Sequence, residues 1–373
     1  MRMNIIEQDR KNYFVSKIDK NAPWVFISYL AEVFYNLHDK SYLNSHQNKK
    51  ETIEIVKIFN NLGYNVYIQD YYSGAKLPKL KKVEIVFGID ILFDNACRYY
   101  NPKYKIYYGT GAFWRHQNKQ MYTITDNFNK QYNSQIPYRR LTNENCSSEI
   151  ADKILQIGSH YTIATYPEDL RNKITIIHQS SQLTNDTDNV CYSLENEYLY
   201  LGSSGPLLKG LSLLVDYFSN HKDNILNVVG PVEDDIYKAL KNDLTDNIIF
   251  HGYMNVNSED FKKITDKCNF LVFPSGSEGC PGSVLTAMKK GLIPIVTPWA
   301  AFDEIEEYGY LLKNWDVTSI EQGIEWSHKL SKKEIELRKV KCKRYVSKTY
   351  NINRFSEEFY DYFKGILLSD KEM

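Results

Sequence analysis

The chain has 373 residues, of which 46 are Lys or Arg and 46 are Asp or Glu, so its formal net charge at pH 7 is zero. Proteins that bind nucleic acid over a large surface usually carry a strong basic surplus, so the balanced charge excludes that class. A hydrophobic fraction of 43% and a charged fraction of 25% are typical of a globular protein. At roughly 150 residues per domain, the length predicts two or three domains.

The six cysteines are widely scattered and include no CxxC pair. Such spacing is typical neither of a zinc site nor of a disulfide framework, so we expect buried free thiols in a reducing compartment and no bound metal. The first residues hold no apolar stretch of signal-peptide length, and we find no segment long and apolar enough to span a bilayer. These patterns predict a cytoplasmic protein.

Strand and helix patterns alternate in the first half of the chain. Strands are predicted at residues 25–29, 65–69, 83–87, 105–108, 162–164 and 174–178, and helices at 51–61 and 148–157. Gly63 and Gly158 follow the two predicted helices, as helix-ending glycines do. The polar stretch at residues 183–196 interrupts the pattern, so we predict a domain junction beside it, near residue 180.

The second half repeats the alternation more regularly. Predicted strands at residues 198–201, 225–229, 248–251, 270–273 and 293–296 alternate with helices at 207–219, 234–243, 259–266 and 283–290. Repeated β–α units favour a parallel sheet with helices on both faces, so we predict an α/β protein with two Rossmann-like domains that face a cleft. Residues 318–365 are predicted to be helical, with a core-facing aromatic stripe at Phe355, Phe359, Tyr362 and Phe363.

The most informative segment is residues 270–296, where a predicted strand runs into a glycine-rich turn and a helix begins at Ser283. This order places free backbone N–H groups and the positive end of a helix dipole at the carboxyl edge of the sheet, where an anion can bind. Glu278 lies in the same turn. Because its carboxylate would repel a phosphate, it suits hydrogen bonds from sugar hydroxyls or the stabilisation of a developing cation. The alternative is a capping or surface glutamate.

The same segment resembles the signature of the retaining family-4, or group 1, glycosyltransferases of the GT-B fold. The matching residues are Glu278, Gly279, Pro281, Ala287, Met288, Gly291 and Pro294. Thr286 stands where the family has a second glutamate that grips the nucleotide ribose, and its hydroxyl would make a weaker contact. The resemblance implies a catalytic Glu278 and a donor-binding loop of Gly279, Cys280, Pro281, Gly282, Ser283 and Thr286.

Residues 198–210, YLYLGSSGPLLKG, resemble a second landmark of the family, a Gly-Arg pair followed by Lys-Gly. Lys209 matches, whereas Ser203 or Ser204 stands at the position of the arginine. In the family both cations neutralise the donor pyrophosphate, so the resemblance implies this role for Lys209, with further hydrogen-bond donors from Ser203, Ser204 and Gly205. Residues 248–253, IIFHGY, resemble the strand whose turn reads the nucleotide base, which implies a base site at Gly252, Tyr253 and Met254.

The N-terminal half diverges more from the family. Residues 45–50 replace a Gly-Gly loop near the donor phosphates, and we hypothesise that His46, Lys49 or Lys50 compensates for the missing arginine. The alternative is a solvated helix start. The resemblance also implies that the loop of Gly109, Thr110 and Gly111 approaches the donor. His116 is the candidate for the histidine that the family places near the reacting sugar, at a longer spacing from its strand than usual.

The resemblance implies an acceptor-side domain at residues 1–180, a nucleotide-sugar donor domain at 181–350 and a C-terminal helix at 351–373 that packs back on the first domain. It further implies metal-independent transfer of a sugar, with retention of configuration, from a UDP- or GDP-linked donor to a glycan or lipid-linked acceptor. No other cofactor is expected, and the product would be a bacterial surface polysaccharide such as capsule or lipopolysaccharide. Two alternatives stay open, a GT-B nucleotide-sugar epimerase and a non-catalytic two-lobed ligand-binding protein.

The zero net charge hides an uneven distribution. Residues 1–175 contain 24 basic and 17 acidic residues, and residues 176–373 contain 22 and 29. The basic residues of the first half that interleave with tyrosines could contact anionic lipid headgroups or a lipid-linked diphosphate, which predicts peripheral contact with the inner face of a membrane. They are Lys76, Lys79, Lys81, Lys82, Arg98, Lys103 and Lys105. The alternative is a solvated basic face that docks against the acidic half.

Overall fold

A computed structural model describes residues 12–182, 184, 190–194 and 196–369. Residues 1–11 and 370–373, at the ends of the first and last predicted domains, lie outside the described residues. So do residues 183, 185–189 and 195, which belong to the polar stretch beside the predicted domain junction.

The first domain is built on a sheet that, within the described part of the chain, has seven strands in the order β1-β3-β2-β4-β5-β6-β7. The strands are β1 (Tyr13–Ser16), β2 (Trp24–Tyr29), β3 (Asn65–Asp70), β4 (Val83–Gly88), β5 (Tyr104–Gly109), β6 (Lys153–Ile157) and β7 (Ile174–Ile177). β1 pairs with β3 antiparallel, and the other neighbours are parallel. Val25, Phe26 and Ile27 are fully buried, as expected for a strand covered on both faces.

Helices cover both faces of this sheet. They are α1 (Lys40–Asn44), α2 (Gln47–Asn61), α3 (Asp90–Tyr100), α4 (Trp114–Gln131), α5 (Ser147–Ile150), α6 (His160–Ile163) and α7 (Glu168–Arg171), with a 3₁₀ turn at Ala31–Tyr35. α2 begins four residues before its predicted start because His46 caps it, accepting a hydrogen bond from the Asn48 N–H. α3 and α4 are not among the predicted helices.

Two predicted elements of the first domain are wrong. The predicted helix at residues 148–157 is the short α5 followed by strand β6, and the predicted strand at 162–164 lies at the end of α6. In β6, Ile154 packs into the core on one face of the sheet while Leu155 and Ile157 pack into the core on the other. Burial on both faces produces an apolar run that periodicity cannot distinguish from a buried helix.

The second domain contains a parallel sheet whose described strands follow the order β10-β9-β8-β11-β12-β13. They are β8 (Glu197–Leu201), β9 (Ile225–Val229), β10 (Ile248–Gly252), β11 (Cys268–Phe273), β12 (Ile293–Val296) and β13 (Tyr310–Leu311). The helices are α8 (Leu211–Asn220), α9 (Asp234–Leu240), α10 (Glu259–Lys267), α11 (Gly282–Lys289), α12 (Ile305–Tyr308), α13 (Val317–His328), α14 (Lys332–Thr349) and α15 (Ile352–Ser369), with 3₁₀ turns at Lys241–Asp243 and Pro298–Ala300. The predicted alternation of this half is confirmed.

Helix α8 begins four residues later than predicted, because the chain before it forms a turn. Gly210 caps the helix with φ of +77°, and a Cβ at this position would lie 2.3 Å from the Pro274 carbonyl oxygen. A positive φ is strained for residues other than glycine, and the close backbone approach leaves no room for a side chain. Residues 205–210 therefore bring the backbone of the second domain's first turn against the loop that follows β11.

The last helix returns to the first domain. Phe355, Phe359 and Phe363 of α15 are buried in the core of that domain, and the ring of Phe363 lies 4.7 Å from the ring of Phe59 on α2. The predicted core-facing stripe is confirmed, with Tyr362 half-buried beside it. No helix of the described chain combines the length and apolarity needed to cross a bilayer.

Helix α4 crosses in the opposite direction. Met121, Ile124 and Phe128 project from it into the core of the second domain, together with residues such as Leu208 and Leu211. The side chain of Tyr132, just after α4, donates a hydrogen bond of 2.6 Å to Asp216 on α8. Each domain therefore holds one helix that the chain order assigns to the other side of the cleft.

The free cysteines differ in their exposure. Cys97, Cys268 and Cys342 are buried, whereas Cys146 and Cys280 are half-buried and Cys191 is exposed. The expectation of buried thiols therefore holds for three of the six, and burial raises the pKa of Cys342 to about 12.

A buried glutamate fixes the point where the chain leaves the first domain. Glu51 on α2 is 2% exposed and accepts hydrogen bonds from the backbone N–H and the hydroxyl of Ser180, at 2.5 and 2.7 Å. The next residue, Ser181, donates its N–H to the carbonyl oxygen of Tyr350, where the chain returns. Burial raises the pKa of Glu51 to about 7, although the bonds from Ser180 oppose the rise. Both crossings between the domains thus meet beside one carboxyl group.

We predict that Glu51→Gln changes how stability depends on pH. Between the unfolded pKa of 4.5 and the folded pKa of about 7, the unfolded chain releases this proton first, so the folded state loses stability as pH rises. The variant lacks this loss. Its free energy of unfolding, taken relative to that of the parent, should therefore rise by on the order of 3 kcal/mol from pH 4 to pH 8. Urea unfolding at both pH values measures the change. Glu54→Gln, at a half-buried position of α2, is the control, and an equal pH response in both variants would contradict the account.

Candidate active site

A largely buried ion pair lies between two loops of the second domain. Lys209 Nζ donates to Glu278 Oε1 at 2.6 Å, and the two side chains are 5% and 15% exposed. The Ser275 hydroxyl donates a second hydrogen bond to the same carboxylate oxygen, at 3.1 Å. The carboxylate is thus oriented by two donors, and the two charges cancel each other within the site.

Two loops of the second domain hold this pair together. The Gly276 N–H donates to the Leu208 carbonyl oxygen at 2.8 Å, which joins the glycine-rich turn after β11 to the turn before α8. The close approach of Gly210 to Pro274 adds a second junction between the same loops. Lys209 and Glu278, which are far apart in the sequence, are therefore set by backbone contacts at the carboxyl edge of the sheet, where α/β proteins bind ligands.

The glycine-rich turn touches the first domain at Gly279. A Cβ on this residue would lie 2.7 Å from the Ile157 carbonyl oxygen and 3.1 Å from both the Thr110 carbonyl oxygen and Gly111 Cα. The Gly111 carbonyl in turn accepts a hydrogen bond from Gln156, at 2.9 Å. The loop of Gly109, Thr110 and Gly111 thus lies directly against the turn that carries Glu278.

His116 also reaches this turn. It lies in the first turn of α4, with Nε2 at 3.4 Å from the Gly276 carbonyl oxygen and its ring 5.8 Å from the ring of Trp299. Partial burial lowers the pKa of His116, against a smaller opposing effect of the bond to Gly276, which favours the neutral imidazole. The structure therefore brings His116 and Glu278 to one turn, although 162 positions separate them in the sequence.

The three candidates at the start of α2 diverge in position. His46 is close enough to Lys209 for that charge to lower its pKa, an effect smaller than that of burial. Lys49 instead donates to Ser45 at 2.8 Å and lies over the ring of Tyr42 at 3.4 Å. Lys50 donates to Asn44, and the nearby charge of Lys289 adds to burial in lowering its pKa. Of the three, His46 is the one whose pKa is affected by the charge of Lys209.

The start of α11 is held by two glutamines that are not among the predicted site residues. Gln179 donates to the Cys280 carbonyl oxygen at 2.7 Å and accepts a hydrogen bond from Gln47 at 3.2 Å. A Cβ on Gly282 would lie 3.2 Å from the Gln47 amide nitrogen. Both glutamines stand in polar stretches of the sequence, where nothing marks them, because only the approach of the two domains gives them these partners.

The remaining donor-loop candidates differ in accessibility. Pro281 caps α11, Ser283 is half-buried in its first turn, and Thr286 is 2% exposed. At the end of β10, Gly252 has φ of +69°, Tyr253 is 80% exposed and Met254 packs partly against the core. These last three residues form an open rim at the same sheet edge.

Ser203 and Ser204 are exposed in the turn after β8, and an arginine of the first domain lies against them. Arg140 Nη1 donates to the Ser204 hydroxyl at 3.3 Å. A Cβ on Gly205, whose φ is +82°, would lie 2.8 Å from Arg140 Cγ. Arg140 stands in a polar loop, where the sequence gives no indication of this contact.

Within the described ranges, His, Cys, Asp and Glu side chains form no group of three that could hold a metal ion. The site brings together one ion pair, a glycine-rich helix start, a histidine and an arginine contributed by the first domain.

Comparison with known proteins gives a family match for the second domain. Residues 195–328, which include Lys209 and Glu278, match the model of the family described as "Glycosyl transferases group 1". No curated protein matches the chain in the sequence search.

Solved structures resemble the chain over most of its length at low identity. Alr3699/HepE from Anabaena, in complex with UDP and glucose, has a TM-score of 0.56 and 10% identity, covering 92% of this chain and 100% of its own. Sucrose-phosphate synthase from Thermosynechococcus elongatus has a TM-score of 0.53 and 14% identity, covering 94% of this chain and 100% of its own. A TarM variant from S. aureus, in complex with Fondaparinux, alpha-GlcNAc-glycerol and UDP, has a TM-score of 0.50 and 13% identity. The match covers 75% of this chain and 55% of the TarM chain. The predicted two-domain GT-B fold is thereby confirmed.

We predict strong energetic coupling between Lys209 and Glu278. Removing either charge leaves the other without its partner in a nearly buried position. The summed losses of stability in Lys209→Met and Glu278→Gln should therefore exceed the loss in the double variant. A double-mutant cycle by urea unfolding should give a coupling energy of about 1–3 kcal/mol.

The matched control is the cycle for Lys57 and Glu54, an ion pair of 2.7 Å whose side chains are 52% and 27% exposed. Its coupling should be about 0.5 kcal/mol or less, because water screens both charges. Equal coupling energies in the two cycles would contradict the interpretation that the Lys209–Glu278 pair is shielded from water.

Proposed function

We propose that the protein is a retaining glycosyltransferase of group 1 type, which moves a sugar from a UDP- or GDP-linked donor to a glycan or lipid-linked acceptor. The observation that carries the proposal is the Lys209–Glu278 pair at the glycine-rich start of α11. The family match over residues 195–328 supports it, since that match covers both charges. UDP in the structures of Alr3699/HepE and TarM supports a nucleotide-linked donor.

The donor diphosphate would lie at the start of α11. The first turn of that helix presents backbone N–H groups and the positive end of its dipole, and Lys209 adds a cation beside it. On donor binding the Lys209 ammonium would be shared between Glu278 and a phosphate oxygen. The rim of Gly252, Tyr253 and Met254 would border the base, and Thr286 is the proposed neighbour of the ribose.

The transferred sugar would lie between the turn and the first domain. Glu278 would accept hydrogen bonds from its hydroxyls and stabilise positive charge at the anomeric carbon. His116, whose pKa is lowered by burial, would donate or accept a hydrogen bond as a neutral imidazole without adding charge. The loop of Gly109, Thr110 and Gly111 would close this space from the acceptor side.

Transfer needs no dedicated protein base in this arrangement. The bond from the anomeric carbon to the diphosphate oxygen breaks, and the acceptor oxygen forms its bond to that carbon on the same face. The proton of the acceptor hydroxyl passes to the departing phosphate oxygen. Lys209 and the start of α11 stabilise the charge that grows on the leaving group, so we propose a reaction without metal.

The acceptor would approach from the first domain, and we propose a role in bacterial surface polysaccharide synthesis at the cytoplasmic face of a membrane. Lys76, Lys79, Lys81 and Lys82 are exposed on that domain. The rings of Tyr72 and Tyr99, which interleave with the basic residues in sequence, are also exposed. Aromatic rings and lysines of this kind suit an anionic lipid surface.

A panel of UDP- and GDP-linked sugars with candidate acceptors tests the activity. We expect release of the nucleoside diphosphate with one donor class, and Glu278→Gln should lower kcat by about 100-fold or more, as the loss of a transition-state contact does. Glu259→Gln, an exposed change on α10, is the control. An altered sugar without release would indicate an epimerase, and stabilisation without turnover would indicate a binding protein; either outcome contradicts the proposal.

Co-sedimentation with vesicles tests the membrane contact. Vesicles that contain phosphatidylglycerol should bind the protein at low salt, and binding should fall as salt screens the lysines. Reversing the charge of Lys79, Lys81 and Lys82 to glutamate should weaken binding, since each lysine near such a surface contributes about 1 kcal/mol. Neutral phosphatidylcholine vesicles are the control, and equal binding to both vesicle types would refute an electrostatic contact.

A further inference from the structure

The proposed donor site is short of positive charge. Lys209 is its buried cation, and Glu278 already balances that charge at 2.6 Å. A nucleoside diphosphate carries about three negative charges at neutral pH, and a helix start offsets only about half a charge. A site that binds such a ligand therefore needs a further cation beside the turn that carries Lys209.

Arg140 is placed to supply this cation. Its guanidinium donates to the exposed hydroxyl of Ser204, and its side chain crosses Gly205 where a Cβ would collide with it. The Gly205 carbonyl oxygen accepts a hydrogen bond from the Lys209 N–H, at 3.3 Å. Arg140 thus packs against the same short turn that the backbone N–H of Lys209 closes.

The backbone of Arg140 is fixed. Its carbonyl oxygen accepts a hydrogen bond of 2.9 Å from Gln117 on α4, and its φ of +59° is uncommon for a residue with a side chain. Two residues later, Thr142 exchanges hydrogen bonds with Asn118, at 2.8 and 2.9 Å. Arg140 is exposed, yet it extends from a loop that is hydrogen-bonded to α4 at residues 140 and 142.

That helix and loop are attached to the second domain. The adjacent Arg139 makes a bidentate ion pair with Asp235 at the start of α9, with one N–O distance of 3.0 Å. Ile136 is buried in the core of the second domain, and Tyr132 is bonded to Asp216. Arg140 is therefore attached to the second domain beside Ser204, although the chain order assigns it to the other domain.

We propose that Arg140 binds the diphosphate of the nucleotide-linked donor, so that the N-terminal half of the chain contributes a cation to the donor site of the C-terminal half. This inference rests on the proposed function. The guanidinium would turn from Ser204 toward the phosphate oxygens, which it can hold with two parallel hydrogen bonds. Ser204 and Gly205 then act as the small residues that leave room for an arginine arriving from another part of the chain.

Calorimetric titration with UDP, GDP and the corresponding nucleosides tests the proposal. For the nucleotide that the parent protein binds, Arg140→Ala should raise the Kd of the diphosphate about 10- to 100-fold, the effect of losing charge-assisted hydrogen bonds. Affinity for uridine or guanosine should change by less than about twofold, which also shows that the variant is folded. Arg140→Lys should recover part of the diphosphate affinity, because it restores the charge without the fork.

Arg344→Ala, which removes an exposed guanidinium from α14, is the matched control and should leave all affinities unchanged. Unchanged diphosphate affinity in Arg140→Ala, in a protein whose parent binds the nucleotide, would overturn the assignment of Arg140 alone. A parent protein that binds neither UDP nor GDP would overturn this inference together with the proposed function. An equal loss of affinity for the nucleoside and for the diphosphate would also overturn the assignment of Arg140, because a general disturbance of the loop would have that result.

Discussion

The close approach of backbone to backbone in the cleft is the constraint on which the rest of the structure depends. Gly210 meets the Pro274 carbonyl, and Gly279 meets the carbonyls of Ile157 and Thr110. Glycine is required where a Cβ would lie within 3 Å of a carbonyl oxygen. These contacts set Lys209 against Glu278 and place that pair at the first domain, so the chemistry of the site follows from where side chains are absent.

The two domains are joined by more than the linker between them. Helix α15 fills the core of the first domain, and α4 fills part of the core of the second. Glu51 binds Ser180 at the point of crossing, and Tyr350 accepts from Ser181. As a result, Arg140 is attached to the second domain even though it precedes the linker. A site assembled in this way has its groups in place before a ligand arrives, which reduces the reorganisation that catalysis requires.

Much of the fold could be predicted from the sequence, because the second half alternates strands and helices with clear breaks. The predicted helix at residues 148–157 is wrong because β6 is buried on both faces, and its apolar run has no helical or strand period. The site divides in the same way. Glu278, Lys209 and His116 stand in or after patterned segments, whereas Arg140, Gln47 and Gln179 acquire their partners only when the domains meet. A contact across more than 60 positions leaves no local signal.

A crystal structure of the protein with UDP or GDP is the most direct test of the central claim, a donor site built around Lys209 and the start of α11. The account predicts the diphosphate within about 3 Å of Lys209 Nζ and of the backbone N–H groups of α11, the distance of a charge-assisted hydrogen bond. The base should border Tyr253, with Glu278 facing the space beyond the outer phosphate. A nucleotide bound elsewhere, or one with its phosphates directed away from Lys209, would contradict the account.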